Sequence, residues 1–146
     1  MMIVRSELQD VGELSILFDD YRIFYGKASD IENAGHFLRE RIVNKESVIF
    51  LSRSEGVLTG FIQLYPIFSS TRLNRLWLLN DLFVAPAFRG SGVSVALIEK
   101  AKTFSRETAS CGLLLETAKT NFVANSLYVK TGFSVDNDHN YYFWNE

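Results

Sequence analysis

The sequence predicts an α/β (α+β) fold: one mixed, mostly antiparallel sheet with helices on both faces. Three observations lead there. Helix-like and strand-like segments follow in the order β-α-α-β-β-β-α-β-α-β-β, with long strands first and helices alternating with strands after them. Two strand segments, Ser47–Ser52 and Gly112–Thr117, are almost wholly apolar, as strands in a sheet interior are. The 146 residues are 47% hydrophobic and 22% charged, enough for one proper core and too few for two ordinary ones, so 1–146 reads as a single domain.

Each element has its own signal. Ile3 to Glu7 reads as a short first strand. From Asp10 to Phe24 the apolar residues Val11, Leu14, Leu17, Phe18, Tyr21 and Phe24 recur with helical spacing. Ser29-Asp30-Ile31-Glu32 has the form of a capping box and opens a second helix running to about Val43. Glu55-Gly56 turns the Ser47–Ser52 strand into Val57–Tyr65, which Pro66 is expected to bend or end. Asn74–Val84 is the third long strand, followed by a glycine-bearing turn and a helix to about Glu107. Asn121–Lys130 is a short helix stopped by Gly132. Phe133–Val135 and Tyr141–Trp144 flank the turn-rich Asn137–Asn140 and predict a closing hairpin.

Bulk properties exclude several classes. The net charge is −2 and no block of Lys or Arg occurs, which argues against nucleic-acid or anionic-membrane partners. Cys111 is the one cysteine, so the chain has no internal disulfide, which suits a reducing compartment. No signal peptide or uncharged run long enough to span a bilayer is present, and a cytoplasmic location is the expectation. His36 and His139 are too few and too far apart to indicate a metal site.

The most informative stretch is Leu79–Ser94. A strand ends at Ala85-Pro86, a turn Arg89-Gly90-Ser91-Gly92 follows, and a helix begins at once. The first amides of a helix lack partners and its dipole adds positive charge, so this is a site for an anion such as a phosphate.

Arg89-Gly90-Ser91-Gly92-Val93-Ser94 resembles the Gln/Arg-x-x-Gly-x-Gly/Ala signature of the GNAT superfamily of N-acetyltransferases, with Ser94 in place of the last small residue. Downstream, Asn121–Phe133 is similar to that family's Asn-x-x-Ala-x-x-Leu-Tyr-x-x-x-Gly-Phe at every fixed position. The resemblance covers the whole chain in element order and is specific from about Leu76 to Phe133. It implies transfer of acetyl from acetyl-CoA to an amine, small-molecule or peptidyl, by direct attack in a ternary complex. A non-catalytic acyl-CoA sensor or interaction module of the same fold is the alternative, and Ser94 and Asn80 keep it open.

The resemblance also implies roles. Arg89, Gly90, Ser91, Gly92, Val93 and Ser94 would hold the pyrophosphate, chiefly through backbone N–H groups, with the Arg89 side chain adding charge or packing along the loop, and main-chain groups along Leu82-Phe83-Val84 would align the pantetheine arm and supply an oxyanion donor. Tyr128 would be the general acid for the leaving thiolate. Its reference pKa of about 10 exceeds the thiol's roughly 8.5, as a donor to a nascent thiolate requires. Asn121 would bond a pantetheine amide or cap its own helix. The base would be Asp81 or an ordered water held by backbone carbonyls, Asp81 being otherwise an amine contact or a structural carboxylate. In the polyamine-acetylating branch two adjacent carboxylates occupy these places, and here the first is Asn80. Tyr21 and Tyr25, with Asp19, Asp20 and Asp30 nearby, would line an acidic, aromatic acceptor pocket, against the plainer reading of a solvated helix face. Members often dimerise, and Tyr141–Trp144 would offer an edge for that or fill the core.

Overall fold

The computed structural model describes all residues, Met1–Glu146. Two compact units divide the chain, Met1–Glu116 and Thr117–Glu146.

The first unit is built on a five-stranded sheet in the order β1-β2-β3-β4-β5. Its elements are β1 (Met2–Arg5), α1 (Val11–Phe24), α2 (Ile31–Val43), β2 (Val48–Ser54), β3 (Val57–Ser69), β4 (Asn74–Val84), α3 (Val93–Glu107) and β5 (Leu113–Leu114). The first four strands pair antiparallel; β4 and β5 run parallel through Trp77–Leu113 and Leu78–Leu114 alone.

Neighbouring residues of β3 show that the helices lie on opposite faces. The Phe61 ring packs against Phe18 and Tyr21 of α1. Gly60, one position earlier, faces Val93 and Leu97 of α3. The α1 side carries the main core, including Leu14, Phe18, Leu38, Leu51, Phe61 and Phe83. On the α3 side the Phe104 ring meets Phe50 edge-on and Trp77 at a tilt, and the Trp77 indole N–H donates to Thr108.

Several expectations need correction. Pro66 does not end β3, which continues to Ser69 with Pro66 opposite Trp77. The reason is that β2 stops pairing at Val48–Leu64, so Pro66 lies past its end, where the missing N–H breaks no ladder bond. Gly112–Thr117 forms a strand only over Leu113–Leu114, at the sheet edge and half-buried. The residue capping α2 is Asp30, whose side chain accepts from the Asn33 amide, because the Ser29 hydroxyl is drawn to Asp19 instead.

In the second unit α4 spans Phe122–Lys130. The predicted closing hairpin is absent: no strand occurs after Phe133. The Asp136 carboxylate folds Asp136–His139 into a local turn, accepting from the Asp138 amide and bonding His139. Two short strands alone are marginal in water, and Tyr141–Trp144 lies exposed.

Candidate active site

An amide cradle stands at the head of α3. After β4 a single 3-10 turn, Pro86–Phe88, brings the chain to Arg89. Gly90 and Gly92 then take φ of 76° and 85°, left-handed values that favour glycine. A side chain at either would meet nothing within 4 Å, so backbone conformation and not crowding demands glycine there. Gly92 is the N-cap and offers no capping side chain. The amides from Gly90 to Val95 donate to no backbone acceptor, and the first turn of α3 carries no acidic residue. Such a row of open N–H groups at a helix N-terminus is an anion site. The Ser91 hydroxyl is turned back to the Phe88 carbonyl, leaving its amide as its contribution to the cradle.

Arg89 is not aimed at an anion. Its Nε donates to the Val84 carbonyl at 3.0 Å, and its guanidinium lies 5.5 Å from the Phe24 ring centre and 5.3 Å from that of Phe83. The side chain braces the turn against the end of α1.

Beyond Leu78, β4 has no partner on its β5 side. Which residues present main-chain groups there follows from the alternation along the strand. The Ala85 amide donates to Thr59 of β3. Phe83 and Asp81 therefore also face β3, while Leu82 and Val84 face the open side. Of the three residues expected to align an arm, Leu82 and Val84 are free to do so; Phe83 buries its ring on the α1 face. With the Val84 carbonyl engaged by Arg89, the Val84 amide and both main-chain groups of Leu82 remain.

A bulge marks the other end of this stretch. Gln63 pairs with Asp81 and Leu64 with Leu79, so Asn80 is an extra residue without an opposite number. Asp81 is 5% exposed and accepts three hydrogen bonds. Oδ1 takes the Tyr21 hydroxyl at 2.8 Å and the Asn80 amide at 3.1 Å, and Oδ2 takes Nε2 of Gln63 at 2.7 Å. Beside it opens a cavity of about 450 Å³ walled by Phe18, Tyr21, Tyr25, Lys27, Phe37 and Asp81, among others. The structure thus brings Tyr21, Tyr25 and Asp81 together as expected, with Asn80 on the rim of the carboxylate. Aromatic walls over one carboxylate suit a cationic nitrogen.

The acidic lining, in contrast, reduces to Asp81. Asp19 is buried and accepts from the Ser29 hydroxyl at 2.6 Å and the Asp30 amide at 2.7 Å, with Arg22 at 3.5 Å. The Ser29 bond, then the Asp30 amide, hold its carboxyl below the usual range. Asp30 is the α2 cap, its carboxyl lowered by the Asn33 side chain and amide. Asp20 points to solvent. These carboxylates shape the loop between α1 and α2.

Sequence reading missed two residues. Gln63 is fully buried opposite Asp81; it is the one amide in the otherwise apolar run Gly60–Tyr65, which is the signal that marks it. Gly60 lets α3 lie close to the sheet, since a Cβ there would meet Val93 Cγ1 at 3.0 Å and Leu97 Cδ1 at 3.3 Å.

In the second unit the Asn121–Phe133 motif is a helix with both ends capped. The Asn121 side chain accepts from the Ala124 amide at 3.2 Å, the capping alternative of its two expected roles. At the other end the Gly132 amide donates to Val129 and the Phe133 amide to Tyr128, and Gly132 has a φ of 96°. This is a Schellman motif, with Tyr128 and Phe133 in edge-on ring contact at 5.7 Å. The motif's Asn, Gly and Phe thus fix where the Tyr128 side chain emerges.

An amide cradle at a strand-to-helix turn, beside the unpaired edge of β4, forms a site for an anionic ligand with an extended arm. The comparisons identify the class. The acetyltransferase (GNAT) family model matches residues 14–133. An uncharacterized N-acetyltransferase, YhfO, from Bacillus subtilis is 40% identical over 136 residues, covering 93% of this chain and 91% of that protein. A probable acetyltransferase from Haemophilus influenzae is 34% identical over 137 residues, covering 93% and 92%. The crystal structure of a probable acetyltransferase superposes with a TM-score of 0.95 at 39% identity, over 100% of this chain and 98% of that one. The chain belongs to the GNAT acetyltransferase family, whose members use acetyl-CoA.

Proposed function

We propose that this acetyltransferase passes the acetyl group directly from acetyl-CoA to a primary amine, of a small molecule or a peptide, held against Asp81. The observation that carries the reading is the open side of β4, which runs from the amide cradle ahead of α3 to the Asp81 cavity. The pyrophosphate rests on the amides of Gly90–Val95. The pantetheine arm adds to β4 as a further strand through Val84 and Leu82, which points the thioester toward Asp81.

In the reaction Asp81 takes a proton from the ammonium group. The neutral nitrogen attacks the thioester carbon, forming the C–N bond, and a Leu82–Val84 main-chain N–H stabilises the oxyanion. Collapse breaks the C–S bond, and the thiolate takes the phenolic proton of Tyr128. The proton shed by nitrogen at collapse goes to solvent, which restores the phenol. Support for Tyr128 is its motif position and the fixing of its ring by Phe133. On this reading residues 1–146 act as one catalytic domain. A cytoplasmic site fits the single cysteine, and exposed Tyr141–Trp144 is the surface on which a dimer would form.

The test is calorimetric titration with acetyl-CoA, then a thiol-release assay over amino acids, polyamines, aminoglycosides and peptide N-termini. Binding and release with at least one amine are expected. Tyr128→Phe should lower turnover by about 10²-fold while leaving acetyl-CoA affinity intact. Failure to bind, or binding without release across the panel, refutes direct transfer, and unchanged turnover removes Tyr128 from the mechanism.

A further inference from the structure

Gln63 is completely buried, and only half of its amide is used. Nε2 donates to Asp81 Oδ2 at 2.7 Å, whereas Oε1 is buried and accepts from nothing. An unpartnered buried carbonyl oxygen is a standing cost to the fold. The amide cannot relieve it by turning over while Asp81 is ionised, because Oε1 would then face Oδ2, acceptor against acceptor.

Protonation of Asp81 reverses that situation. Oδ1 already holds two donors, from Tyr21 and Asn80, so a proton arriving on the carboxyl settles on Oδ2, which holds one. The resulting O–H needs an acceptor, and Oε1 is the unused one beside it. A half-turn of the amide exchanges Nε2–H···Oδ2 for Oδ2–H···Oε1. One side chain thereby offers the carboxyl a donor when it is ionised and an acceptor when it is protonated, while Nε2 takes the partnerless place that Oε1 leaves.

We propose that Gln63 is a positioning residue whose amide turns over as Asp81 takes the amine proton, so that Asp81 can both accept that proton and hold it. The proposal rests on the reading of Asp81 as the proton acceptor. The proton comes from the ammonium group, R–NH3⁺ and the carboxylate becoming R–NH2 and the carboxylic acid, and it returns to water after the product leaves. The groups that face Asp81 are few. They are Tyr21, Arg22, Tyr25 and Lys27 from α1 and the loop after it, Asn33 of α2, Gln63 and Tyr65 of β3, and Asn80 of its own strand. Burial, and after it the Asp81 charge, push the Tyr65 phenol up, so it stays neutral and does not compete for the proton.

The experiment is the pH profile of kcat/KM and kcat for the best amine of the panel, in the native chain, Gln63→Met and Asp81→Asn. Methionine keeps the shape of glutamine and removes both donor and acceptor. In Gln63→Met the acidic limb should move up by roughly one pH unit, because the ionised carboxylate loses a donor. The plateau kcat should fall roughly tenfold, because the protonated carboxyl loses its acceptor. Acetyl-CoA affinity should hold. A residue that only keeps Asp81 ionised would give the shift with an unchanged or faster plateau, and a merely structural one would leave the limb in place; either result overturns the proposal. Should Gln63→Met not fold, Gln63→Glu is read instead. There two carboxyls share one proton and the limb splits into two steps, whereas a single unmoved limb overturns the proposal. An acidic limb that survives Asp81→Asn refutes the parent reading of Asp81, which separates that failure from failure of Gln63 alone.

Discussion

Gly60→Ala tests whether the cradle depends on how closely α3 lies on the sheet. The added methyl would sit 2.8 Å from the Phe83 carbonyl, 3.0 Å from Val93 Cγ1 and 3.3 Å from Leu97 Cδ1. The two side chains can yield by a few tenths of an ångström. The carbonyl cannot, because it belongs to the β3–β4 ladder at the Gly60–Val84 and Phe61–Phe83 pairs. Overpacking of this kind costs about 1–3 kcal/mol. The stiffer unfolded chain of alanine returns about 0.4–1 kcal/mol. The net is roughly 1–2 kcal/mol, which in a chain of this size lowers Tm by about 3–6 °C. Val93 is the first residue of α3, so the same push displaces the cradle, and acetyl-CoA binding should weaken alongside Tm. Gly12→Ala provides the opposite sign. That glycine lies in α1 with nothing within 4 Å of its missing Cβ, so alanine should stabilise by roughly 0.5–1 kcal/mol. Thermal melting and calorimetric titration of both variants decide the matter. A Gly60→Ala chain that melts at or above the native temperature, or both variants moving together, refutes the packing account.

Two other outcomes follow from the site. Tyr21→Phe removes the hydroxyl that donates to Asp81 Oδ1 but keeps the ring contacts with Phe18, Phe61 and Phe83. Since a hydrogen bond to a charged group is worth about 1.5–3 kcal/mol, kcat/KM for the amine should fall about ten- to a hundredfold and Tm should fall by several degrees. An unaltered kcat/KM would show that Asp81 does not need this donor. Acid should loosen the loop between α1 and α2. Asp19 and Asp30 both titrate below the ordinary carboxylate value of 3.8, so they stabilise the fold above that pH, and the contribution is lost as pH falls below it. Melting curves taken from about pH 5 downward should show a decline that Asp19→Asn flattens; identical declines in the two chains would contradict the assignment.

Features read correctly from the sequence are those fixed within a few residues. The turn Arg89–Gly92 announces itself because left-handed backbone at Gly90 and Gly92 is written directly as glycine. The Asn121–Phe133 motif is legible for the same reason, since a cap at one end and a Schellman turn at the other are local bonds. Features that depend on distant partners were not legible. Pro66 is tolerated only because β2 has already ended, which the residues around Pro66 do not reveal. Asp19 looked like pocket lining, but Ser29 and the Asp30 amide, ten and eleven residues on, claim its oxygens. The final aromatic run is rich in strand-forming residues yet finds no ladder partner. Gln63 became meaningful only once β3 and β4 were aligned, because its importance lies in standing opposite Asp81.

The extra residue Asn80 links the cofactor and acceptor parts of the reading. Before the bulge, Trp77 lies on the α3 face, where its ring meets Phe104, and its amide turns toward β5 to donate to Gly112. Regular alternation from Trp77 would put Leu79, Asp81 and Phe83 all on that same face, beneath α3. It would also turn the main chain of Asp81 and Phe83, and not that of Leu82 and Val84, to the open side. One inserted residue shifts the phase of everything after it. Asp81 and Phe83 then register with Gln63 and Phe61 and face α1, where Tyr21 meets both. Leu82 and Val84 acquire the open edge by the same shift. Without the bulge the carboxylate would be sealed under α3 and the aromatic cavity would have no charged floor. The open main-chain edge at Leu82 and Val84 and the turn of the Asp81 carboxylate toward α1 therefore arise from a single structural event, the insertion of Asn80.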